Sequence, residues 1–396
     1  MSIQLRSLSY LAGAPIALML SLSSAYAAAP MTRPVVVPLQ GRTPPSAVAT
    51  LNAPGSSVAP AAQYTIVDVP GAGTGHGQGT VITPVNNSMV SSGFYIDSSN
   101  NHHGFVRAAD GTITSFDVDG LMSQTTTYWM NNNGVAVGVY IDQGTGAQNG
   151  FARAPDGTLI IFAAGTETTD ATYVNSISDK DEAVGDYVDS NGVFHGFLLA
   201  KNAIESFDAP GAGTGANQGT EGSDVNVAGT IAGEYIDANS VSHGFVRAKN
   251  GTYTSFDAPG AGSNAGQGTF AIGDNSKETV VGYYIDASNV NHGFIRESGG
   301  AVTTFDAAGA GTNATQGTFG IGLNNKGNAT GSYIDSAGAL HGFERAINGT
   351  LTEYDAPGAG TGHDEGTTGS DINKRGVISG TEVDDSFVYH GYLRTR

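Results

Sequence analysis

The chain has 396 residues, 17 of them basic and 36 acidic, for a net charge of −19, and it contains no cysteine. So acidic a chain repels nucleic acid and anionic lipid head groups and favours cations, cationic partners or neutral ligands. Disulfides and thiolate metal sites are excluded, and a chain of this length can build a large core without them.

Met1–Arg6 is a short segment ending in a basic residue, Leu11–Leu22 is an apolar stretch, and Ala25-Tyr26-Ala27 is an A-x-A cleavage site. The pattern predicts a secretory signal peptide over 1–27, because the apolar stretch falls short of the roughly 20 residues a membrane span needs. A secreted or periplasmic protein without membrane insertion is therefore expected. Residues 28–62 hold seven of the fourteen prolines, and Arg33 and Arg42 are their only charges. They read as an extended Pro/Ala-rich linker. Charge concentrates in 63–396, where 14 basic residues against 36 acidic leave a net of −22.

From there to the end the chain repeats. His-Gly-Phe, or a near variant, begins at His103, Asn149, His195, His243, His292, His341 and His390, in steps of 46, 46, 48, 49, 49 and 49 residues. That period is the length of one four-stranded propeller blade. In the fourth unit the strands are predicted at Thr220–Asn226, Gly229–Asp237, His243–Ala248 and Thr252–Asp257. β-branched and aromatic residues fill these runs, and Asn, Gly, Ser and Asp fill the gaps. The seventh unit ends at Arg396 without a fourth strand, and Gln63–Gly73 matches the missing piece. A strand supplied from the other end closes a propeller and removes its exposed edges. The fold expected is all-β, a seven-bladed β-propeller over 63–396 whose last blade is completed at the N-terminal side.

The recurring Tyr-Ile-Asp, His-Gly-Phe and Phe-Asp frame, as in Tyr235-Ile236-Asp237, His243-Gly244-Phe245 and Phe256-Asp257, resembles the HAF family of bacterial extracellular repeat proteins. The resemblance covers nearly all of 63–396 and implies an exported, propeller-forming protein. It implies no reaction and no ligand, so no functional residue is carried over. This chain mostly has Gly where the family name has Ala.

Two recurring features read as structural. His103, His195, His243, His292, His341 and His390 each precede an aspartate on the next strand: Asp117, Asp208, Asp257, Asp306, Asp355 and, across the closure, Asp68. The second unit has lost both partners, with Asn149 and Ala163, so the two side chains are expected to touch. Asp97, Asp142, Asp189, Asp237, Asp286, Asp335 and Asp384 end the second strands. They read as turn caps, with calcium ligation as the alternative. The glycine-rich crossings at Gly71, Gly211, Gly260, Gly309 and Gly358 lead into strands, which argues against a phosphate cradle. His76 and His363 occupy matching loops, read as exposed histidines in preference to a shared metal site.

Departures from the repeat are the candidates for a site. The second unit holds Trp129, the sole tryptophan, beside Tyr128 on a strand expected to line the central channel, and it lacks the glycine-rich crossings on both sides. An aromatic platform there stacks on a sugar ring, or else fills space between blades. Asp224 and Asp371 lie two residues before a recurring Asn (Asn226, Asn373), where other units have Pro84, Trp129, Ser176, Gly273 and Gly322. Trp129, Tyr128, Asp224 and Asp371 are thus the candidate ligand-binding residues. No catalytic motif and no resident cofactor is expected. Three classes stay open: a monomeric, non-enzymatic binding or scaffold protein for a polysaccharide or another exported protein; a propeller-fold polysaccharide lyase or hydrolase; and a calcium-dependent surface or matrix protein.

Overall fold

The structure, a computed structural model, describes residues 62–120, 124–165, 167 and 170–396. The expected signal peptide, and the linker as far as residue 61, lie outside the described residues. Among those described there are 28 strands and no helix. The fourth unit's strands, Gly219–Val225, Ile231–Ile236, Ser242–Arg247 and Tyr253–Phe256, fall within two residues of the sequence reading at every boundary.

Each unit is an antiparallel meander. The units span 79–116, 126–162, 171–207, 219–256, 268–305, 317–354 and 366–395. The last has three strands of its own, and Gln63–Val67 adds to it, pairing Gln63 with Thr395 through Val67 with Gly391. First strands neighbour one another in chain order, and the first strand of the last unit, Gly366–Ile372, lies against that of the first unit, Gly79–Val85. Successive meanders set round a common axis in this way make a β-propeller. The hydrogen bonding forms one sheet of 24 strands and a separate sheet of four, and neither closes into a ring.

The division has a local cause. Gly79, Gly219, Gly268, Gly317 and Gly366 each make a single parallel bridge to the third strand of the unit before. Their φ angles of +112° to +127° are open to glycine, and a Cβ at Gly219 would stand 2.0 Å from the Phe194 carbonyl oxygen. The second unit has no such glycine on either flank, so its strands 126–162 form the separate sheet. One clasp survives in every unit. Val69, Val118, Ala164, Ala209, Ala258, Ala307 and Ala356 each donate an N–H to a buried threonine hydroxyl at the start of a first strand, Thr80 through Thr367, at 2.8–3.0 Å.

The core lies between units. In six units the motif's aromatic, Phe or in the last unit Tyr392, meets the fourth-strand aromatic of the preceding unit edge-on, as Phe256 and Phe294 do at 5.8 Å, and an arginine covers five of these fourth-strand rings, Arg296 lying 4.9 Å from that of Phe256. The glycine of the motif has its own reason. Gly244 pairs with Phe256, whose ring lies 2.7 Å from where a Cβ would stand.

Candidate functional site

The histidine–aspartate pairs are in contact. Nδ1 of His103, His195, His243, His292, His341 and His390 lies 2.8–3.0 Å from the fourth-strand aspartate, Asp68 serving His390. Nε2 faces the turn aspartate at 3.4–3.8 Å. In five of the six a tyrosine stacks on the imidazole, with centroids 4.8–5.0 Å apart. The turn aspartates cap their turns: Asp237 Oδ1 accepts the N–H groups of Asn239 and Val241. Six copies with the same partners bolt each hairpin together. His76 stacks on Phe387 and His363 pairs with its neighbour Asp364, so the two loop histidines have separate partners. Among the described residues no group of three or more His, Asp or Glu side chains fits a metal ion.

The ends of all seven first strands surround one open cavity. Its rim is built by the recurring asparagine. Asn226 donates from Nδ2 to the carbonyl of Asn275, Asn275 to Asn324, Asn324 to Asn373, Asn373 to Asn86, Asn86 to Asn131 and Asn131 to Ser178, at 2.9–3.3 Å. Each asparagine Oδ1 accepts N–H groups of its own turn, as Asn86 does from Ser88 and Val90. The chain of links breaks at Ser178, whose short hydroxyl serves its own turn through the N–H groups of Lys180 and Glu182. A buried amide that makes all its bonds rigidifies its surroundings, so the rim is a fixed mouth.

Two residues before the rim position, Trp129, Asp224 and Asp371 line this mouth. Asp371 accepts N–H from Ile372 at 2.7 Å and from Val85 of the first unit at 3.1 Å. Asp224 accepts from Val225 and from Asp274 of the next unit, both at 2.8 Å, and from the Ser176 hydroxyl of the unit before. Both carboxylates therefore stitch neighbouring units as well as facing the cavity. Burial raises both acids and pushes Asp371 up to about 7, against the pull of its N–H donors, and the Asp224 charge adds to the rise at Asp371. The arc between them carries Gly273 and Gly322, and a Cβ at Gly322 would stand 2.9 Å from Asp371 Cα.

Tyr128 does not line the mouth. A register shift between Thr127 and Trp129 leaves it unpaired, and it packs on the apolar cluster of Val137, Val174 and Phe197 with its hydroxyl pushed up by burial. Trp129 touches the same cluster from the cavity side. Of the two rings only that of Trp129 lines the cavity, so they do not form one platform there.

Three features escape a reading by motif. Asp274 also lines the mouth; it is 8% exposed, and its Oδ1 has no hydrogen-bond partner. Glu221 and Glu234 face each other across two strands with Asp186 of the neighbouring unit beside them, all three buried. Glu382 stands where the other histidine-bearing units have the stacking tyrosine; burial pushes it up to about 7, while His390 pulls it down. Comparing the units position by position gives the signal. An acid occupies columns held elsewhere by Phe94 or Tyr283 and by Val81 or Phe270.

No family model matches the chain, and no curated protein matches it. Solved structures do. Virginiamycin B lyase from Staphylococcus aureus is similar at 11% identity with a TM-score of 0.55, over 85% of this chain and 100% of that one. Its catalytically inactive histidine variant with quinupristin matches at 12% and 0.54, over 84% and 100%. A streptogramin B lyase matches at 10% and 0.53, over 84% and 97%. The class defined is a β-propeller with a rigid polar mouth. At these identities the likeness is one of fold.

Proposed function

We propose that the chain is a seven-bladed propeller of four-stranded blades, closed by Gln63–Val67, exported by its signal peptide, and that it binds a saccharide at the mouth without turning it over. Closure is supported by the pairing of Gln63–Val67 with the last strand, and by bonds from the last unit to the first such as Ser379 Oγ to the Thr83 carbonyl at 2.8 Å. The recurring frame supports kinship with the HAF-type extracellular repeat proteins.

One observation carries the binding reading. The side chains that break the repeat, Trp129, Asp224 and Asp371, come from units far apart in sequence and line one cavity. An indole face and hydrogen-bonding carboxylates around a rigid rim are what a sugar ring needs, one face apolar and the edges polar. Fluorescence of the mature protein, titrated with a glycan panel, tests this, since Trp129 is the sole tryptophan. A saturable emission change with no product is expected, and Trp129→Ala, read by calorimetry because it removes the fluorophore, should weaken binding by about 2 kcal/mol with the circular dichroism unchanged. Emission indifferent to every glycan would overturn the reading. Product formation in the same panel would favour a lyase or hydrolase instead.

A further inference from the structure

The mouth is short of positive charge. Asp179, Asp224, Asp274 and Asp371 line it against a single cation, Lys374, which stands exposed on the rim. Asp179 is partly satisfied at the lip, where it takes the N–H and Nδ2 of Asn132 at 2.8 and 3.0 Å. Among the described residues no cation stands beside the three deeper acids. The donors to Asp224 and Asp371 are backbone N–H groups and the Ser176 hydroxyl, and Asp274 takes the Asn226 amide at 2.7 Å. Asp274 Oδ1 is buried with no donor, in a wall of the cavity and close to the Asp224 carboxylate. A buried acceptor without a donor is a cost that a ligand bearing donors removes.

The mouth also has a direction. In unit order the residues two before the rim are Pro84, Trp129, Ser176, Asp224, Gly273, Gly322 and Asp371. The indole stands on one arc. On the opposite arc two carboxylates flank two glycines, Gly273 and Gly322, where adjacent first strands pack closely enough that a Cβ would meet neighbouring backbone. The acids face the cavity from both ends of that arc, and the Asp224 charge adds to the rise at Asp371. An ammonium group, with three donors and a full charge, matches the acids that line this arc of the cavity.

We propose that the ligand is an amino sugar with a free, protonated amine, held by Asp224, Asp274 and Asp371 with its ring against Trp129. The inference rests on the saccharide reading of the mouth and adds the charge. Burial raises all three acids, and the Asp224 charge adds to the rise at Asp274 and Asp371; a bound cation favours their ionised forms, so binding should be proton-linked.

The test uses the mature protein and two probes, a fully deacetylated glucosamine tetramer and its N-acetylated counterpart, at mildly acidic pH where the free amine is charged. Affinity is read by Trp129 emission and by calorimetry. The deacetylated tetramer should bind roughly tenfold tighter or better, and the preference should shrink as sodium chloride is added. Asp224→Asn with Asp371→Asn should abolish it. Since those residues also stitch units, the salt dependence of the unmodified protein gives an independent reading if the double variant unfolds. Equal affinity for both tetramers would overturn the charge inference and leave the saccharide reading standing. No binding of either tetramer, with emission unmoved, would overturn the inference here, while a response to another glycan in the wider panel would keep the saccharide reading alive.

Discussion

Glu234→Gln should make the protein markedly less sensitive to alkali. Glu234 is 0% exposed and neither carboxyl oxygen has a partner. It faces Glu221 across the strand pair and lies beside Asp186. Tyr173 and Tyr283 are the other titratable groups against the cluster, and among the described residues no lysine, arginine or histidine acts on the three acids. Burial first, and mutual repulsion second, raises Glu221 and Glu234 well above the usual carboxylate range. Burial pushes Asp186 up to about 7, against the bond from Asn175.

The folded protein therefore keeps protons that the unfolded chain releases above about pH 4. A folded pKa raised above the unfolded one gives stability that is complete below the unfolded value. That stability is lost as pH climbs toward the folded value. Each such acid costs ~1.4 kcal/mol per pH unit across that window, which for Asp186, moving from 3.8 to about 7, comes to about 4 kcal/mol. Glutamine keeps the shape and carries no proton to lose. Above the unfolded carboxylate pKa the variant's stability should fall less steeply with pH than that of the unmodified protein, by up to ~1.4 kcal/mol per pH unit. Urea unfolding at several pH values, followed by Trp129 emission and circular dichroism, measures this. Two parallel stability curves would refute the reasoning, because they would mean that Glu234 does not hold an extra proton in the folded state.

Deleting 28–62 should leave the melting temperature unchanged, whereas deleting 28–73 strips the last unit of Gln63–Val67 and should cause unfolding or aggregation; equal melting of both truncations would contradict closure. His243→Ala and Asp257→Ala should each cost about 1 kcal/mol or less, since Asp257 is 55% exposed, and a double-mutant cycle should show coupling where strict additivity would deny the contact. Ser178→Asn should complete the interrupted rim by donating to the Asn226 carbonyl and stabilise the protein by about 1 kcal/mol, read as a shift in the urea midpoint.

The period of the repeat carried most of the fold. Strand positions, the His–Asp contacts and the pairing of the two ends all follow from aligning one unit on the next, because every unit solves the same packing problem. The separation of strands 126–162 into their own sheet was foreshadowed by the missing glycines, though not what those glycines do: without Gly219 or its equivalents the backbone cannot approach the preceding third strand closely enough to bridge it. The rim was half legible. A recurring asparagine is visible in sequence, but that its amide reaches the carbonyl of the next unit depends on spacing between units, which no single unit encodes. Tyr128 was misplaced for a local reason, the register shift at Thr127 and Trp129.

The acids were the least legible, and the reason is general to repeat folds. A carboxylate reads in sequence as surface, yet in a propeller every first and second strand is walled by its neighbours, so position within the unit decides burial and residue type does not. Glu221 and Glu234 occupy columns where Phe270 and Tyr283 pack in the next unit, and Asp186 occupies the Glu234 column of the unit before. Three acids in apolar columns of adjacent units cost stability at neutral pH, as do Asp224, Asp274 and Asp371 around the mouth. The two groups differ in one respect that assigns them different roles. The first is sealed among tyrosines and can take up protons alone, which makes it a determinant of stability. The second faces an open cavity opposite an indole, where a cation can reach it from solvent, which makes it a place for a ligand.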